Sequence, residues 1–348
     1  MAACDVLDEA LEAISFAAPE LANGFTNHAP MTMEALCAVG RTDAVLPWLD
    51  KYRKQLIPSL PSREKIPSRE WHTSLGQYQL ASDWRAFFEN ELKEASWPVV
   101  LDRWTSRLAP GFCAAATHGV IRTGHAARAL SISETPTRLA ELAYALAYWA
   151  ATYQTLPTDL SPDPFAKRPA EAIMHVPIIP PNRRQFRGSI TSSLEALSGD
   201  FAPVINSARL DGDITRVLSE LSETFAHVYL ANAHDALTAT VFVHCVTSVA
   251  AVRSLVPHVD SNIALQLTRY AWQSASGIYS VFGSHPQVPI DTDEVSEDYA
   301  GLIDKAISNG DEHVIKFTEA CARENKLNPS PVYRTSARHV LGVLKSEL

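Results

Sequence analysis

Twelve histidines are spread along this chain of 348 residues, and several stand in apolar helical segments where a charged ring would be costly. His244 is the clearest example, because its segment, TATVFVHCVTSVAAV, is apolar nearly all round and must therefore be buried. A buried imidazole needs partners for its nitrogens, and a neutral ring is also a good ligand for iron, copper or zinc. The segment indicates either a hydrogen-bonded core histidine or a metal ligand.

A second segment, ATHGVIRTGHAARAL, contains two histidines on one helical face. His118 and His125 are seven residues apart, which is two helical turns. Gly119 and Gly124 flank this face and would allow another helix or a ligand to approach closely. Arg122 lies between the two rings. It could hold a phenolate or carboxylate of a ligand, or form a salt bridge at the helix end, and the sequence favours neither.

Two further histidines lie where helices are predicted to begin. His28, in GFTNHAPMTMEALCAVGR, follows Asn27, and its ring either packs at the turn or forms one arm of a metal site. His234 precedes Asp235 near the start of the helix that contains His244. We predict a capping role for His234, or a position behind the ligands.

The last candidates are His313 and Lys316 in GDEHVIKFTEACARE, which share one helix face at i, i+3 spacing. This face is either a salt-bridged surface or a pair of ligands. An ammonium group cannot coordinate a metal, but a lysine carbamylated by CO2 offers carboxylate oxygens. Burial would favour that chemistry because desolvation lowers the pKa of a lysine.

Helical bundles build interior metal sites from side chains on several helices, and these histidines fit that pattern. A set that is rich in histidine and poor in acids suits iron(II) or another late first-row metal better than magnesium or calcium.

The net charge and the cysteine content argue against several classes of function. A net charge of -9 argues against nucleic-acid or anionic-membrane binding. Five cysteines without a CxxC pair indicate reduced thiols. The N-terminus lacks the pattern of a signal peptide, and no apolar run reaches the ~20 residues that cross a bilayer. We therefore predict a soluble, cytoplasmic protein with no nucleic-acid or membrane partner, and the sequence leaves its oligomeric state unknown.

The apolar residues recur with the period of a helix almost throughout, and strand-like alternation is rare. This predicts an all-α fold, a single large multi-helix domain over 1–348 with ten to fifteen helices. A proline-rich loop at about 156–190 interrupts it, and we predict a lid there rather than a linker. No GxG, GxSxG or HExxH motif occurs, so the fingerprints of nucleotide-binding folds and common hydrolases are absent.

Five sequence blocks together resemble the questin oxidase-like family. These are TNHAPMTMEALCAVGR, ATHGVIRTGHAARAL, VFVHCVTSVAAVRSL, YAWQSASGIYSVFG and DEHVIKFTEACARE, in this order. The resemblance covers roughly residues 20–340, and the shorter chain is similar to the bacterial branch. It implies oxidative chemistry on polycyclic aromatic polyketides, such as the opening of an anthraquinone ring by C–C bond cleavage.

Within that resemblance, two activities are implied. One is an NADPH-dependent Baeyer–Villiger-type oxidase, which the missing glycine motif disfavours. The other is a mononuclear non-haem iron dioxygenase with four histidines and a carboxylated lysine around Fe(2+), acting on a small aromatic substrate with O2. We favour the second, and a non-catalytic helical binding protein remains the alternative from another class. The resemblance then implies His28, His244, His313 and Lys316 as metal ligands. A further ligand is either His118 or His125, of which we favour His125. Arg122, His118 and His234 are the catalytic candidates around them.

Overall fold

The computed structural model describes residues 3–184, 186, 188–284 and 297–346, and this part of the chain is helical without a strand or sheet. Its extended segments pair only in three isolated β-bridges. The predicted all-α class is confirmed. The α-helices in chain order are α1 (Ala3–Ala13), α2 (Ala29–Ala38), α3 (Val45–Tyr52), α4 (Ala81–Glu94), α5 (Trp97–Leu108), α6 (His118–Ile132), α7 (Pro136–Ala151), α8 (Pro169–Ala172), α9 (Ile190–Leu194), α10 (Val204–Ser207), α11 (Ile214–Asn232), α12 (Ala236–Leu255), α13 (Ser261–Phe282), α14 (Tyr299–Asn309), α15 (Glu312–Leu327) and α16 (Pro331–Val343).

The start of α6 is set by an unusual backbone turn, because the helix begins only at His118. The preceding residues Ala115, Ala116 and Thr117 have φ values of 46°, 56° and 72°, and a right-handed helix cannot contain such a run.

The contacts within the chain divide it into two compact units. The first unit comprises Met1–Gln154 and Ser254–Ile263, and the second comprises Thr155–Arg253 and Ala264–Glu347. Each unit has its own buried helical core, so each is described separately below. The single domain over 1–348 stays a prediction.

The core of the first unit is built around α4, α6 and α7, with large aromatic side chains between the helices. Trp84, Phe88 and Trp104 are fully buried and pack ring against ring at centroid distances of 4.8–5.9 Å. Gly119 lets α6 approach α7, because a Cβ at that position would lie 2.8 Å from Cγ of Trp149 and 2.9 Å from its Cα. The predicted close approach at Gly119 is therefore confirmed.

Substituting Gly119 by alanine is expected to lower the free energy of unfolding by about 1–3 kcal/mol, since the added methyl overlaps the Trp149 backbone. Gly342 in α16 is the matched control, because a Cβ there meets nothing within 4 Å. Gly342→Ala should stabilise by up to ~1 kcal/mol through helix propensity. Thermal unfolding of both variants measures these changes, and equal Tm values would contradict the close contact between Gly119 and Trp149.

The second unit surrounds the apolar helix α12. Among the described residues, one segment, Ala236–His258, is long and apolar enough to cross a membrane, but 72% of its most apolar window is buried inside the protein. A core helix of a soluble protein has this combination of apolar composition and burial. The prediction that this segment is a buried core helix is confirmed, while a cytoplasmic location stays a prediction.

The proline-rich loop at about 156–190 is tied to the rest of the second unit by hydrogen bonds. Gln273 in α13 donates its side-chain amide to the Pro157 carbonyl at 3.0 Å, and the Ile179 amide donates to the Ser280 carbonyl at 2.8 Å. The loop is thus part of this unit and not a linker leading away from it. Its role as a lid stays a prediction.

Candidate functional site

His28 caps α2 and is almost completely buried in the first unit. Its backbone N–H donates to the Tyr52 hydroxyl at 2.9 Å, and its carbonyl accepts the amide and the hydroxyl of Thr32 at 3.0 and 3.1 Å. Pro30 at the first turn of α2 suits a helix start because its missing N–H would be unpaired there anyway. These bonds hold the backbone of His28, so its ring projects from a rigid position.

His118 is the first residue of α6, and the left-handed turn of Ala115, Ala116 and Thr117 delivers it there. Non-glycine residues with positive φ are uncommon, and three in a row are costly, so packing must impose the turn. The turn brings the Ala115 carbonyl 2.6 Å from Nδ1 of His118. A carbonyl can only accept, so Nδ1 carries the proton and, in the neutral ring, the lone pair is on Nε2.

The two rings form a pair within the first unit. The ring centroids of His28 and His118 are 4.6 Å apart with the planes inclined by 59°, and a ligating nitrogen of one lies within 4.8 Å of a ligating nitrogen of the other. Both side chains are buried. Neighbouring imidazoles at this spacing are close enough to share one metal ion.

His125 takes part in a different interaction. Its Nδ1 lies 2.6 Å from Oε2 of Glu34, and Arg128 also contacts both carboxylate oxygens of Glu34, at 2.8 and 2.5 Å. Burial opposes ionisation of Glu34, but Arg128 and His125 outweigh it and lower the carboxyl pKa to about 2. The structure therefore brings His118, and not the predicted His125, next to His28. Two turns of helix separate the rings by ~10 Å, enough to give them different neighbours.

Arg122 forms the buried salt bridge that was one of its two predicted roles. Its Nε and Nη2 donate to the two carboxylate oxygens of Glu141 at 2.6 and 2.8 Å, and its guanidinium lies 4.5 Å from the centre of the Tyr144 ring. A paired and stacked guanidinium of this kind has a single orientation.

His234 is exposed at the start of α12. Its backbone N–H donates to the Thr238 hydroxyl at 3.0 Å, and the Asp235 carboxylate accepts the Thr238 amide at 2.8 Å. This is the predicted helix-start environment, in which His234 contributes a backbone group.

His244 is buried in the second unit, as predicted from the apolar residues around it in the sequence. Its Nδ1 lies 2.7 Å from the carbonyl of Thr240, one turn earlier in α12, so Nδ1 donates and the lone pair of the ring is on Nε2. Burial, followed by the charges of His313 and Lys316, lowers the pKa of His244 to about 3. The ring is therefore neutral at physiological pH, which is the form that binds metals.

His313 lies at the start of α15, beside His244. Their ring centroids are 5.7 Å apart with the planes inclined by 67°. Asp311 caps the helix by accepting the amides of His313 and Val314 at 2.8 and 3.0 Å, and its carboxylate also lies 3.6 Å from Nδ1 of His313. At 3.6 Å this contact is longer than a hydrogen bond, so the Asp311 carboxylate places a negative charge beside the ring without fixing its tautomer.

Lys316 lies one turn further along α15, and its side chain is buried. Burial lowers its pKa to about 8, although Glu312 and Asp311 oppose the shift. A lysine with a lowered pKa has a larger fraction of neutral amine, and the neutral amine is the form that reacts with CO2. The prediction of a buried lysine beside His313 agrees with this placement.

Four large aromatic residues that could offer a flat surface to an aromatic ligand are part of the cores of the two units. Trp149, Phe242, Trp272 and Tyr279 are each fully buried, and the indole N–H groups of the two tryptophans donate to backbone carbonyls. Packing therefore accounts for Trp149, Phe242 and Trp272, whereas the buried hydroxyl of Tyr279 has no hydrogen-bond partner among the described residues.

Some residues that orient the rings were missed from the sequence. The carbonyls of Ala115 and Thr240 are backbone groups, which every residue has, so no sequence pattern could have identified them as partners of the rings. Asp311 could have been found, because an aspartate two residues before a histidine at a helix start is the pattern of an N-cap that reaches the ring. Glu34 could have been found as a lone carboxylate in an apolar helix.

Each unit thus contains two imidazoles at short distance, and the second adds a buried lysine. The sequence also matches the Questin oxidase-like family over residues 25–321, most of the chain. The chain belongs to the questin oxidase-like family. A search of curated proteins gave no match. Membership in the questin oxidase-like family implies an oxidoreductase acting on aromatic polyketides, and both histidine pairs lie within the matched residues.

Proposed function

We propose that this protein is a mononuclear non-haem iron oxygenase that cleaves a C–C bond of a polycyclic phenolic substrate resembling an anthraquinone. The ligands would be His28, His118, His244 and His313, with a carbamate on Lys316. His118 takes the place of the His125 predicted from sequence, because His118 neighbours His28 whereas His125 is engaged with Glu34.

One observation carries the proposal. In His118 and His244, Nδ1 faces a backbone carbonyl oxygen at 2.6 and 2.7 Å, and in His313 it lies 3.6 Å from the Asp311 carboxylate, which is longer than a hydrogen bond. Metal-binding histidines usually have this arrangement, in which an acceptor on one nitrogen orients the ring and leaves the lone pair on the other. His125 has the same arrangement with Glu34, so the proposal also needs the pairing of the rings, His118 beside His28 and His244 beside His313. The donor set therefore fits a late first-row metal.

The residues of the chain would have three tasks. Imidazoles bind a metal in their neutral form and so add no charge, and the hydrogen bonds to Nδ1 of His118 and His244 reduce the reorganisation on binding. A carbamate on Lys316 would add the one negative charge of the set. Burial keeps bulk water from the reacting groups. Iron(II), when bound, would supply the capacity to bind O2 and exchange electrons with a coordinated phenolate.

Oxygen uptake tests the proposed activity. Untagged protein is reconstituted anaerobically with iron(II) and given O2 and a hydroxylated anthraquinone, with zinc(II)-loaded protein as the control. We expect uptake that requires both iron and substrate and that NADPH does not increase. Product formation without O2 would indicate a hydrolase, and NADPH-dependent turnover of iron-free protein would indicate the Baeyer–Villiger alternative. Iron retention below about a tenth per chain would favour a binding protein.

The carbamate makes a separate prediction. The Lys316 amine attacks CO2, the new N–C bond gives a carbamate, and one proton is released. Protein treated with ¹³C-labelled bicarbonate should show one carbamate carbon resonance, and Lys316→Arg should lose it because a guanidinium does not capture CO2. Lys305→Arg is the matched control, since Lys305 is exposed in a salt bridge with Glu297. A resonance that survives in Lys316→Arg would remove Lys316 from the proposed ligands.

A further inference from the structure

A cavity of about 290 Å³ opens in the first unit, and no histidine is among the described residues that line it. Leu11 and Ile14 give it an apolar side, and Tyr144 contributes an aromatic ring. Arg85 and Arg122 line it as cations, and their guanidinium carbons lie 4.6 and 4.5 Å from the centre of the Tyr144 ring. Its volume is near the lower limit of the ~300–1,000 Å³ typical of small-molecule pockets, so it suits one aromatic ring and not a fused polycycle.

Arg122 supplies the feature that points to a ligand. Two of its nitrogens are satisfied by Glu141, but Nη1 is buried and has no hydrogen-bond partner among the residues that the structure describes. Buried polar groups are nearly always paired, and an orphaned N–H is a position where a ligand or water is expected. Arg138 of the same unit, equally buried, donates to Asp8 and to the Ala129 carbonyl.

The charges around the cavity decide the kind of acceptor. Glu141 already balances Arg122, Glu89 is paired with Arg85 at 2.9 Å, and Glu12 also lines the cavity. An anionic ligand would be repelled by these carboxylates, and no unpaired cation among the described residues of the cavity would compensate for the repulsion. A neutral oxygen with a lone pair would satisfy Nη1 at no such cost. The apolar side and the Tyr144 ring favour an aromatic body for the same ligand.

We propose that this cavity binds a small neutral aromatic carbonyl compound, with Nη1 of Arg122 donating to its carbonyl oxygen and its ring against Tyr144 and the apolar side. This site uses no histidine and no metal. It can therefore be tested on chelator-treated protein, where a failure would leave the proposed iron chemistry untouched.

Calorimetric titration of chelator-treated protein with three probes of similar size tests the proposal. Acetophenone has a neutral carbonyl, ethylbenzene has no acceptor, and benzoate carries a charge. We expect acetophenone to bind at least tenfold more tightly than ethylbenzene, with benzoate no tighter than acetophenone. Equal affinities for acetophenone and ethylbenzene, or no binding of any probe, would overturn the proposal. Preference for benzoate would replace it with an anion site.

Three variants test whether the preference for acetophenone arises in this cavity. Arg122→Lys keeps a charge for Glu141 but removes Nη1, so the preference for acetophenone over ethylbenzene should disappear. Arg138→Lys, a change at an equally buried arginine outside the cavity, should preserve it. Ala140→Leu adds volume at a half-buried cavity position and should weaken both neutral probes even if Arg122→Lys fails to fold. Unchanged acetophenone affinity in Ala140→Leu would contradict the assignment to this cavity.

Discussion

Replacing His244 with alanine is expected to lower iron affinity by at least ~100-fold, since even residues that only orient a ligand contribute 10–100-fold. The buried ring is neutral, its Nδ1 donates to the Thr240 carbonyl, and His313 lies beside it, and the proposed role of His244 as a ligand is based on these three features. Removal of the ring also leaves a cavity in α12, which should cost some stability without unfolding the helices. Iron content by mass spectrometry and helicity by circular dichroism measure the two effects.

His227→Ala is the control for that variant. His227 is a half-buried histidine of α11 in the same unit, and burial lowers its pKa too, yet it has no imidazole neighbour among the described residues. We expect it to retain iron. Full iron binding by His244→Ala together with a normal fold would show that the ring only fills the core, and the ligand assignment in the second unit would be wrong.

Alanine at His118 and alanine at His125 are expected to have opposite consequences. His118→Ala should lose iron by a factor similar to that of His244→Ala, because His118 is the ring that neighbours His28. His125→Ala should keep iron but destabilise the protein by about 1–3 kcal/mol, because a buried carboxylate on Glu34 loses one of its partners.

Iron content and thermal unfolding of the two variants measured side by side distinguish these outcomes. If His125→Ala lost iron while His118→Ala kept it, the ligand predicted from the sequence would be restored and the argument from the Ala115 carbonyl would fail. If both variants kept iron, α6 would supply no ligand.

The choice between these two histidines also shows how far sequence patterns reach. The helical period predicted α6 and placed both rings on one face, which is correct at the level of the helix. It could not predict that Ala115, Ala116 and Thr117 adopt positive φ, because glycine or asparagine normally marks such positions and this turn contains neither. Long-range packing imposes the turn, and the turn determines which ring meets His28.

The burial of a side chain could be predicted where the surrounding residues are apolar. The partner of a buried polar side chain could not be predicted where it lies far away in the sequence. The apolar residues around His244 in the sequence correctly predicted that its ring is buried. The salt bridge of Arg122 could only be left as one of two alternatives, since Glu141 is nineteen residues away on the next helix. The pairing of His125 with Glu34 depends on a residue 91 positions distant, which no local pattern contains.

An anomalous difference map across the iron absorption edge, from crystals of the reconstituted protein, is the most direct measurement. We expect one iron peak per chain within about 2.0–2.3 Å of a nitrogen of His28, His118, His244 and His313, distances typical of late first-row metal–ligand bonds. Iron peaks at only one of the two pairs, a separate ion at each, or no peak near these rings would contradict a single centre built from both.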